Sequence, residues 1–175
     1  MYDVIVVGAR CAGSPTAMLL ARAGHKVLLV DRDTFPSDTM STSFMQMDAT
    51  LRMQRWGLHD RLVAAGTPAF PAMNVAFGPM EMQSPLQPIQ GQAPRRVILD
   101  KILLDGAREA GVEVREHCSV QEVLKDADGT VTGVRLQVDG SQSVTETCRV
   151  LVGADGRNSV VARAVNPPRS HEHPG

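Results

Sequence analysis

A turn that contains two glycines near the start of the chain, followed by an acid, carries the clearest chemistry in this sequence. Residues 2–7 form an apolar run rich in β-branched residues that ends at Gly8, and an alanine- and leucine-rich segment begins at Gly13. A second apolar run, residues 26–30, ends at Asp31. Strand, glycine turn, helix and second strand in this order, with an acid about 20 residues further on, are typical of a βαβ unit that binds a dinucleotide.

The turn and the acid are suited to different parts of such a ligand. Gly8 lets the chain turn sharply off the first strand, and Gly13 lets the helix pack close to it. The N–H groups at the helix N-terminus, with the positive end of the helix dipole, can receive a pyrophosphate. Asp31 can accept hydrogen bonds from an adenosine ribose. The predicted pyrophosphate turn consists of Gly8, Ala9, Arg10, Cys11, Ala12, Gly13 and Ser14.

One position departs from the usual G-x-G-x-x-G pattern. Arg10 stands where the middle glycine normally lets the backbone approach the phosphates. A side chain there crowds the ligand unless it points away, but a guanidinium can also pair with phosphate oxygens. Arg32, directly after Asp31, leaves the choice of nucleotide open at this motif. The alternative is a βαβ unit of another α/β fold whose turn binds nothing.

The composition predicts one globular domain with a sizeable core. The chain has 175 residues, 43% of them hydrophobic, and a formal net charge of −1. That charge gives no general electrostatic reason to bind nucleic acid or an anionic membrane. No apolar stretch approaches transmembrane length. The first apolar run lacks a basic segment before it and is interrupted by Gly8, so no signal peptide is predicted and we expect a cytoplasmic location.

The cysteines and histidines predict neither a disulfide framework nor a metal site. The cysteines are odd in number and have no C-x-x-C spacing: they are Cys11, Cys118 and Cys148. Cys11 could be redox-active in the turn or simply a small residue that fills it. The histidines form no ligand or triad spacing: they are His25, His59, His117, His171 and His173. We therefore predict no metal, and no catalytic acid, base or nucleophile can be named.

The remaining pattern predicts helices and strands that end in an antiparallel meander. Helices are expected near residues 13–23, 44–56, 58–65, 95–110 and 159–164, parallel strands at 26–31 and 112–115, and meander strands near 118–124, 130–138 and 144–152. Two Asp-Gly pairs separate the meander strands and are strong hairpin signals. The proline-rich residues 66–94 predict short edge strands or an irregular excursion, where a substrate-facing sheet could begin. The fold class is α/β, a Rossmann-like parallel sheet with an inserted antiparallel β-meander.

A second motif follows the last meander strand and points to a family. It begins at Gly153 and continues through Asp155 and Gly156 to Ser159. Together with the opening turn, it resembles the FAD-dependent oxidoreductases of the aromatic-hydroxylase type, which include single-component flavoprotein monooxygenases and geranylgeranyl-reductase-like proteins. The resemblance extends to about Arg163. It implies that the glycine turn holds the ADP part of FAD and that the acid after the second strand binds the ribose.

The resemblance also implies roles for residues outside the turn. Asp155 and Gly156 would form the Asp-Gly motif, which links the pyrophosphate region to pyridine-nucleotide use. Arg96, at the start of an Arg-x-x-Leu helix, resembles an arginine near the flavin phosphates, although an arginine before a helix is usually a solvated charge. Val120 resembles a meander residue whose backbone contacts adenine, although a strand valine is usually a core residue.

Two departures from the family pattern affect these expectations. The terminal arginine of the Asp-Gly motif would fall at Ala162, whereas this sequence has Arg163. No Gly-Asp motif for the ribityl chain follows Arg157. We therefore expect the N-terminal portion of a longer flavoprotein, with an FAD-binding domain at 1–165 and a disordered tail at 166–175. Because parallel sheets are normally covered on both faces, we also expect a homodimer or a completing C-terminal polypeptide.

The chemistry implied by the resemblance has two half-reactions. NAD(P)H would reduce FAD, and the reduced flavin would then react with oxygen to hydroxylate a small organic substrate. A reductase relative would instead reduce a carbon–carbon double bond. Two other hypotheses stay open: a non-catalytic nucleotide-binding remnant, and an NAD(P)-dependent enzyme of the same doubly wound class. Whether this chain alone is an enzyme is left open.

Overall fold

The computed structural model of the protein describes residues 1–86 and 88–168. These form two compact units: unit 1 comprises Met1–Thr34 and the described residues from Leu104 on, and unit 2 comprises Phe35–Leu103. Most of the tail that we predict to be disordered, residues 169–175, lies outside the described residues. The division into a domain at 1–165 and a tail stays a prediction.

The helices and strands follow the predicted order. In chain order they are β1 (Tyr2–Val7), α1 (Gly13–Arg22), β2 (Val27–Val30), α2 (Met47–Trp56), α3 (His59–Ala64), β3 (Ala69–Phe70), β4 (Asn74–Phe77), β5 (Met80–Gln83), β6 (Gly91–Gln92), α4 (Arg96–Glu109), β7 (Glu113–Arg115), β8 (Cys118–Lys125), β9 (Val131–Val138), β10 (Gln142–Gly153) and α5 (Val160–Val165). None of the helices within the described ranges is long and apolar enough to cross a membrane.

Unit 1 is built on a six-stranded sheet in the order β7-β2-β1-β10-β9-β8. The strands β7, β2 and β1 are parallel, and β1 also pairs in parallel with the second half of β10. The first half of β10 pairs antiparallel with β9, and β9 pairs antiparallel with β8. The predicted α/β class, a parallel sheet with an inserted antiparallel meander, is therefore confirmed.

The apolar runs of the sequence become the centre of this sheet. All four residues of β2 are buried, as are five of the six in β1. Strands buried on both faces read as continuous apolar runs, because neither face requires polar residues. One apolar cluster joins both halves of the sheet to α5: its members are Tyr2, Ile5, Val7, Leu28, Val30, Cys118, Val134, Leu136, Cys148 and Val161.

Unit 2 contains α2, α3 and two separate two-stranded sheets, β3–β6 and β4–β5. The prediction that the first of these helices begins near residue 44 is wrong, because α2 begins at Met47. Met45 exchanges backbone hydrogen bonds of 2.8 and 2.9 Å with Gln92, which hold it in an extended bridge. The helix ends as predicted at Gly57, which has a left-handed φ of 75°. Short strands in the region 66–94 are confirmed, and its substrate-facing role stays a prediction.

A polar network ties together three strands of unit 1. Tyr2 Oη donates a 2.7 Å hydrogen bond to Glu113 Oε2, and Arg115 Nη2 donates to Tyr2 Oη at 3.0 Å. Arg115 Nη1 donates to Glu146 Oε1 at 2.7 Å. Burial raises the pKa of the Tyr2 hydroxyl to about 12, and the hydrogen bond to Glu113 acts in the same direction. The hydrogen bond from Tyr2 and then those from Arg115 lower the pKa of Glu113 against the opposing effect of burial.

We expect this network to make stability depend on alkaline pH. The folded-state pKa of Tyr2 lies above its unfolded value of about 10, so its contribution is complete below that pH and is lost as the pH rises to about 12. The loss should be on the order of 2 kcal/mol of unfolding free energy. Tyr2 is the only tyrosine, so ultraviolet absorbance of tyrosinate reports its titration directly.

The matched variant is Tyr2→Phe, which removes the titrating hydroxyl and keeps the ring. Its free energy of unfolding should fall less steeply with pH between about 10 and 12 than that of the native chain. A native titration midpoint at the ordinary value of about 10 would contradict the prediction.

Candidate functional site

In the turn after β1, close backbone contacts leave no room for a side chain at either of the two glycines. Gly8 has a φ of +99°, and its N–H donates to the Val30 carbonyl oxygen at 2.8 Å. A Cβ on Gly8 would lie 2.4 Å from the Ala154 carbonyl oxygen. A Cβ on Gly13 would lie only 1.7 Å from the Gly8 carbonyl oxygen. Both positions therefore require glycine, for backbone conformation at the first and for close approach at both.

The N-terminal end of α1 lies beside this turn, and its first three residues are buried. The first N–H groups of an α-helix usually have no intrahelical acceptor and carry the positive end of the helix dipole. Here Ser14 N donates to the Arg10 carbonyl oxygen at 3.0 Å, and Pro15 has no N–H. Cys11 and Ala12, which lead into α1, are exposed. Ser14 is buried, and its hydroxyl donates to the Ala9 carbonyl oxygen at 2.7 Å. The positive end of the helix dipole is thus suited to an anion near these exposed residues, while the Ser14 side chain shapes the turn.

Asp31 lies directly against the turn with its carboxylate buried. Its Oδ2 accepts a 2.6 Å hydrogen bond from Ala9 N, and its Oδ1 accepts one of 2.9 Å from Asp33 N. A carboxylate can accept about four hydrogen bonds, so roughly two positions remain for hydroxyl donors. The side chain therefore fits the ribose of a dinucleotide, whose hydroxyls would supply those donors.

Arg10 points toward the end of β2. Its Nη2 forms a 2.8 Å ion pair with Asp33 Oδ2. The guanidinium thus lies on a carboxylate, and the pairing of Arg10 with phosphate oxygens stays a prediction. Arg32 Nε lies 4.0 Å from Asp33 Oδ1, and the Arg32 side chain is 82% exposed. The sequence analysis missed Asp33, although an acid two residues after Asp31 was the available signal.

The Asp-Gly motif reaches the same turn from the other side of β1. The position that a Gly8 Cβ would occupy is 3.0 Å from Asp155 Cα. Asp155 Oδ1 accepts a 2.6 Å hydrogen bond from Ser159 Oγ, and its Oδ2 accepts one of 2.6 Å from Val160 N. Gly156 has a φ of +81°. The carboxylate thus satisfies amides at the start of α5, and its role toward a pyridine nucleotide stays a prediction.

Val120 lies on β8, the edge strand of the sheet. It pairs with Leu136 and packs against the apolar cluster of unit 1. The register shifts between Val120 and Glu122, which places a bulge at Gln121. A bulge leaves its residue outside the regular ladder, so backbone groups beside Val120 are suited to an outside partner. Its contact with adenine stays a prediction.

Two predicted arginines have local carboxylate or carbonyl partners. Arg96 belongs to unit 2, whereas the other predicted site residues belong to unit 1. Its Nε and Nη2 each donate a 3.0 Å hydrogen bond to the buried carboxylate of Asp100. A guanidinium has five N–H donors, so this arrangement leaves donors for a phosphate. Arg163 Nη1 donates to the Asn158 carbonyl oxygen at 2.6 Å.

The cysteines differ in accessibility. Cys11 is exposed, and burial raises the pKa of the Cys118 and Cys148 thiols. Within residues 1–86 and 88–168, no group of three or more His, Cys, Asp or Glu side chains could hold a metal ion.

The tightest contact of the turn gives a stability prediction. Gly13→Ala places a methyl group against the Gly8 carbonyl oxygen, so α1 or the turn must shift. We expect a loss of about 1–3 kcal/mol in the free energy of unfolding, measured by denaturant titration. Gly140→Asn is the control, since nothing lies within 4 Å of its Cβ position and asparagine tolerates its left-handed φ of 72°. Equal losses in the two variants would contradict the prediction.

Comparison with known proteins gives consistent matches. The family model described as FAD binding domain matches residues 1–174. Menaquinone reductase of Mycolicibacterium smegmatis is 32% identical over 165 residues, which are 93% of this chain and 39% of the relative. Digeranylgeranylglycerophospholipid reductase 2 of Methanothermobacter thermautotrophicus is 31% identical over 169 residues, which are 93% of this chain and 41% of the relative.

The solved structures agree with the fold. The structure of the flavin-dependent brominase Bmp2 is similar with a TM-score of 0.84 and 28% identity, over 93% of this chain and 40% of that one. The chain thus spans about two fifths of the length of the relatives that it matches. Since the family model covers nearly all of the sequence, this chain belongs to the FAD binding domain family.

Proposed function

We propose that this chain binds FAD and forms the cofactor-binding part of an NAD(P)H-dependent flavin oxidoreductase, of the monooxygenase type. The observation that supports it best is the buried carboxylate of Asp31, held by Ala9 N and Asp33 N beside the N-terminal end of α1. A ribose and a pyrophosphate are adjacent in FAD, and this arrangement has an acceptor for the first and the positive end of a helix dipole for the second.

Several of the predicted residues then have a binding task. The turn residues 8–14 receive the pyrophosphate, and Asp31 accepts from the ribose. Val120 and its neighbours offer backbone groups to adenine, and the phosphate-binding role of Arg96 stays a prediction from the sequence. When bound, FAD supplies the redox chemistry, so the residues of this chain serve to bind, orient and shield it.

The electron donor and the substrate are parts of the proposal. We propose NADH or NADPH as donor and a small organic molecule as substrate, and a cytoplasmic location stays a prediction from the sequence. Two relatives are named as reductases, which supports a reduction as a second reaction, for which we propose a carbon–carbon double bond as the group reduced. Because the chain spans about two fifths of its relatives, nucleotide binding without turnover by this chain alone is the other candidate.

An Asp31→Asn variant tests the binding site. The variant keeps the shape of the side chain but removes the charge that the ribose hydroxyls would meet, and it replaces one acceptor with a donor. Hydrogen bonds to a charged group contribute about 1.5–3 kcal/mol, so the dissociation constant of FAD should rise at least about tenfold. Flavin fluorescence during titration of the full chain measures it, and far-ultraviolet circular dichroism shows whether the variant is folded.

Asp128→Asn is the matched control, because Asp128 is exposed in the hairpin turn between β8 and β9. Its affinity for FAD should equal that of the native chain. At a hundredfold excess of FAD over the dissociation constant, the native chain should gain about 2.7 kcal/mol of stability in a thermal melt. A folded native chain that neither binds FAD nor gains stability would refute the proposal.

Oxidation of NADH or NADPH in air separates the enzymatic proposal from simple binding. We expect the FAD-loaded chain, supplied with either nucleotide, to show loss of the reduced-nicotinamide absorbance above that of free FAD. Saturable FAD binding without such oxidation would favour the binding-only candidate for this chain.

A further inference from the structure

We propose that the ion pair between Arg10 and Asp33 is a positioning device for the ribose acid Asp31, and that it holds the side chain of residue 10 away from the pyrophosphate. The inference rests on the proposed FAD-binding function of unit 1. Arg10 stands where dinucleotide-binding turns usually have their middle glycine. Neither Arg10 nor Asp33 needs to touch the reacting part of the cofactor for this role.

The contacts form a closed ring. Ala9 N donates to Asp31 Oδ2 at 2.6 Å, and Asp33 N donates to Asp31 Oδ1 at 2.9 Å. Arg10 Nη2 donates to Asp33 Oδ2 at 2.8 Å, and the peptide bond between Ala9 and Arg10 closes the ring. One donor to Asp31 is therefore on Asp33, a partner in the ion pair, and the other is on Ala9, the residue before the second partner, Arg10. If the pair separates, the turn and the end of β2 lose one of their side-chain links.

The far side of the same segment is held by the backbone. Asp31 N donates to the Arg115 carbonyl oxygen at 3.0 Å, and Cys118 N donates to the Asp31 carbonyl oxygen at 2.8 Å. His117 N donates to the Asp33 carbonyl oxygen at 3.4 Å. The Asp31–Asp33 segment is thus fixed on the sheet, and the ion pair links Arg10 of the turn to this fixed segment. This arrangement explains how an arginine can occupy the middle position without crossing the ligand path.

If Arg10 instead binds the pyrophosphate directly, removal of the Asp33 carboxylate should change the nucleotide affinity in the opposite direction. If the guanidinium left Asp33 to bind the pyrophosphate, Asp33 would compete with the ligand for it, and removing that carboxylate would strengthen binding. If the pair positions Asp31, removing the carboxylate weakens binding even though a negative charge disappears near an anionic ligand. The side chains of Arg10 and Asp33 are 23% and 39% exposed, so an effect of about two- to fivefold is expected in either direction.

The experiment compares two nucleotides on the full chain by calorimetry. ADP carries both ribose hydroxyls, and 2′,3′-dideoxy-ADP carries neither, so the ratio of their dissociation constants measures how well the ribose acid is placed. The variants are Asp33→Asn, Arg10→Met, which keeps an unbranched apolar side chain without the charged group, and Arg10→Lys, which keeps a cation. Arg149→Met is the control, because it breaks an ion pair with Asp3 at the start of β1.

We expect Asp33→Asn and Arg10→Met each to weaken ADP binding and to lower the dideoxy-to-ADP ratio, while Arg10→Lys recovers part of both. Arg149→Met should change neither quantity. A general loss of stability would weaken both nucleotides equally and leave the ratio unchanged, and that result would overturn the positioning role. Tighter ADP binding by Asp33→Asn would overturn it in favour of direct phosphate binding by Arg10.

The outcome also separates this inference from the proposed function. If the native chain binds ADP and prefers it over the dideoxy form, but all variants behave like the native chain, only the positioning role fails. If the folded native chain binds no ADP, the proposed site fails and the positioning role fails with it. Should Asp33→Asn not fold, Arg10→Met tests the same pair from the other partner.

Discussion

The close approach of Gly13 to the Gly8 carbonyl oxygen is the constraint on which the rest of the site depends. A Cβ at Gly13 would be 1.7 Å from that oxygen, so α1 starts as close to the end of β1 as two backbones can lie. The favourable field of a helix N-terminus falls off within its first turn. A helix displaced by one side chain would therefore carry its amide groups away from the place where the chain leaves the strand.

The buried acid depends on the same turn for its hydrogen bonds. Removing a carboxylate from water is costly unless it is paired or hydrogen-bonded. At Asp31 the compensation comes from two backbone amides, one of them on the glycine turn, at 2.6 and 2.9 Å. Arg10 pairs with Asp33 instead. The ribose acid thus keeps acceptor positions free, which a bidentate arginine such as the one on Asp100 would have filled.

The parts of this structure that sequence predicted are those set by local rules. The apolar runs gave the buried strands, the Asp-Gly pairs gave the hairpins of the meander, and Gly57 ended α2 with the left-handed conformation that glycine allows. The predicted start of α2 was wrong because Met45 forms backbone hydrogen bonds with Gln92, which is distant in sequence.

The hydrogen-bond and ion-pair partners of the side chains could not be predicted either, because they depend on how the chain folds in space. The pattern at Arg10 left open whether the side chain points away from the ligand or pairs with phosphate oxygens, and its contact with Asp33 depends on where the end of β2 lies in space. The neighbours of Asp155 in sequence identified it as part of the Asp-Gly motif. Its hydrogen bonds from Ser159 and Val160, however, form because α5 begins beside it. Such pairings are decided by packing that no local spacing encodes.

The long strand β10 explains why two motifs so far apart in sequence share one place. Its first half pairs with β9 in the meander and its second half pairs in parallel with β1. The chain therefore enters the parallel sheet beside β1, on the side opposite β2. Ligands of open α/β sheets bind at such a point, where the connections run in opposite directions. Because Val7 pairs with Gly153 in the last register position, the chain leaves both strands at the same level, and the Asp-Gly motif comes to lie against Gly8.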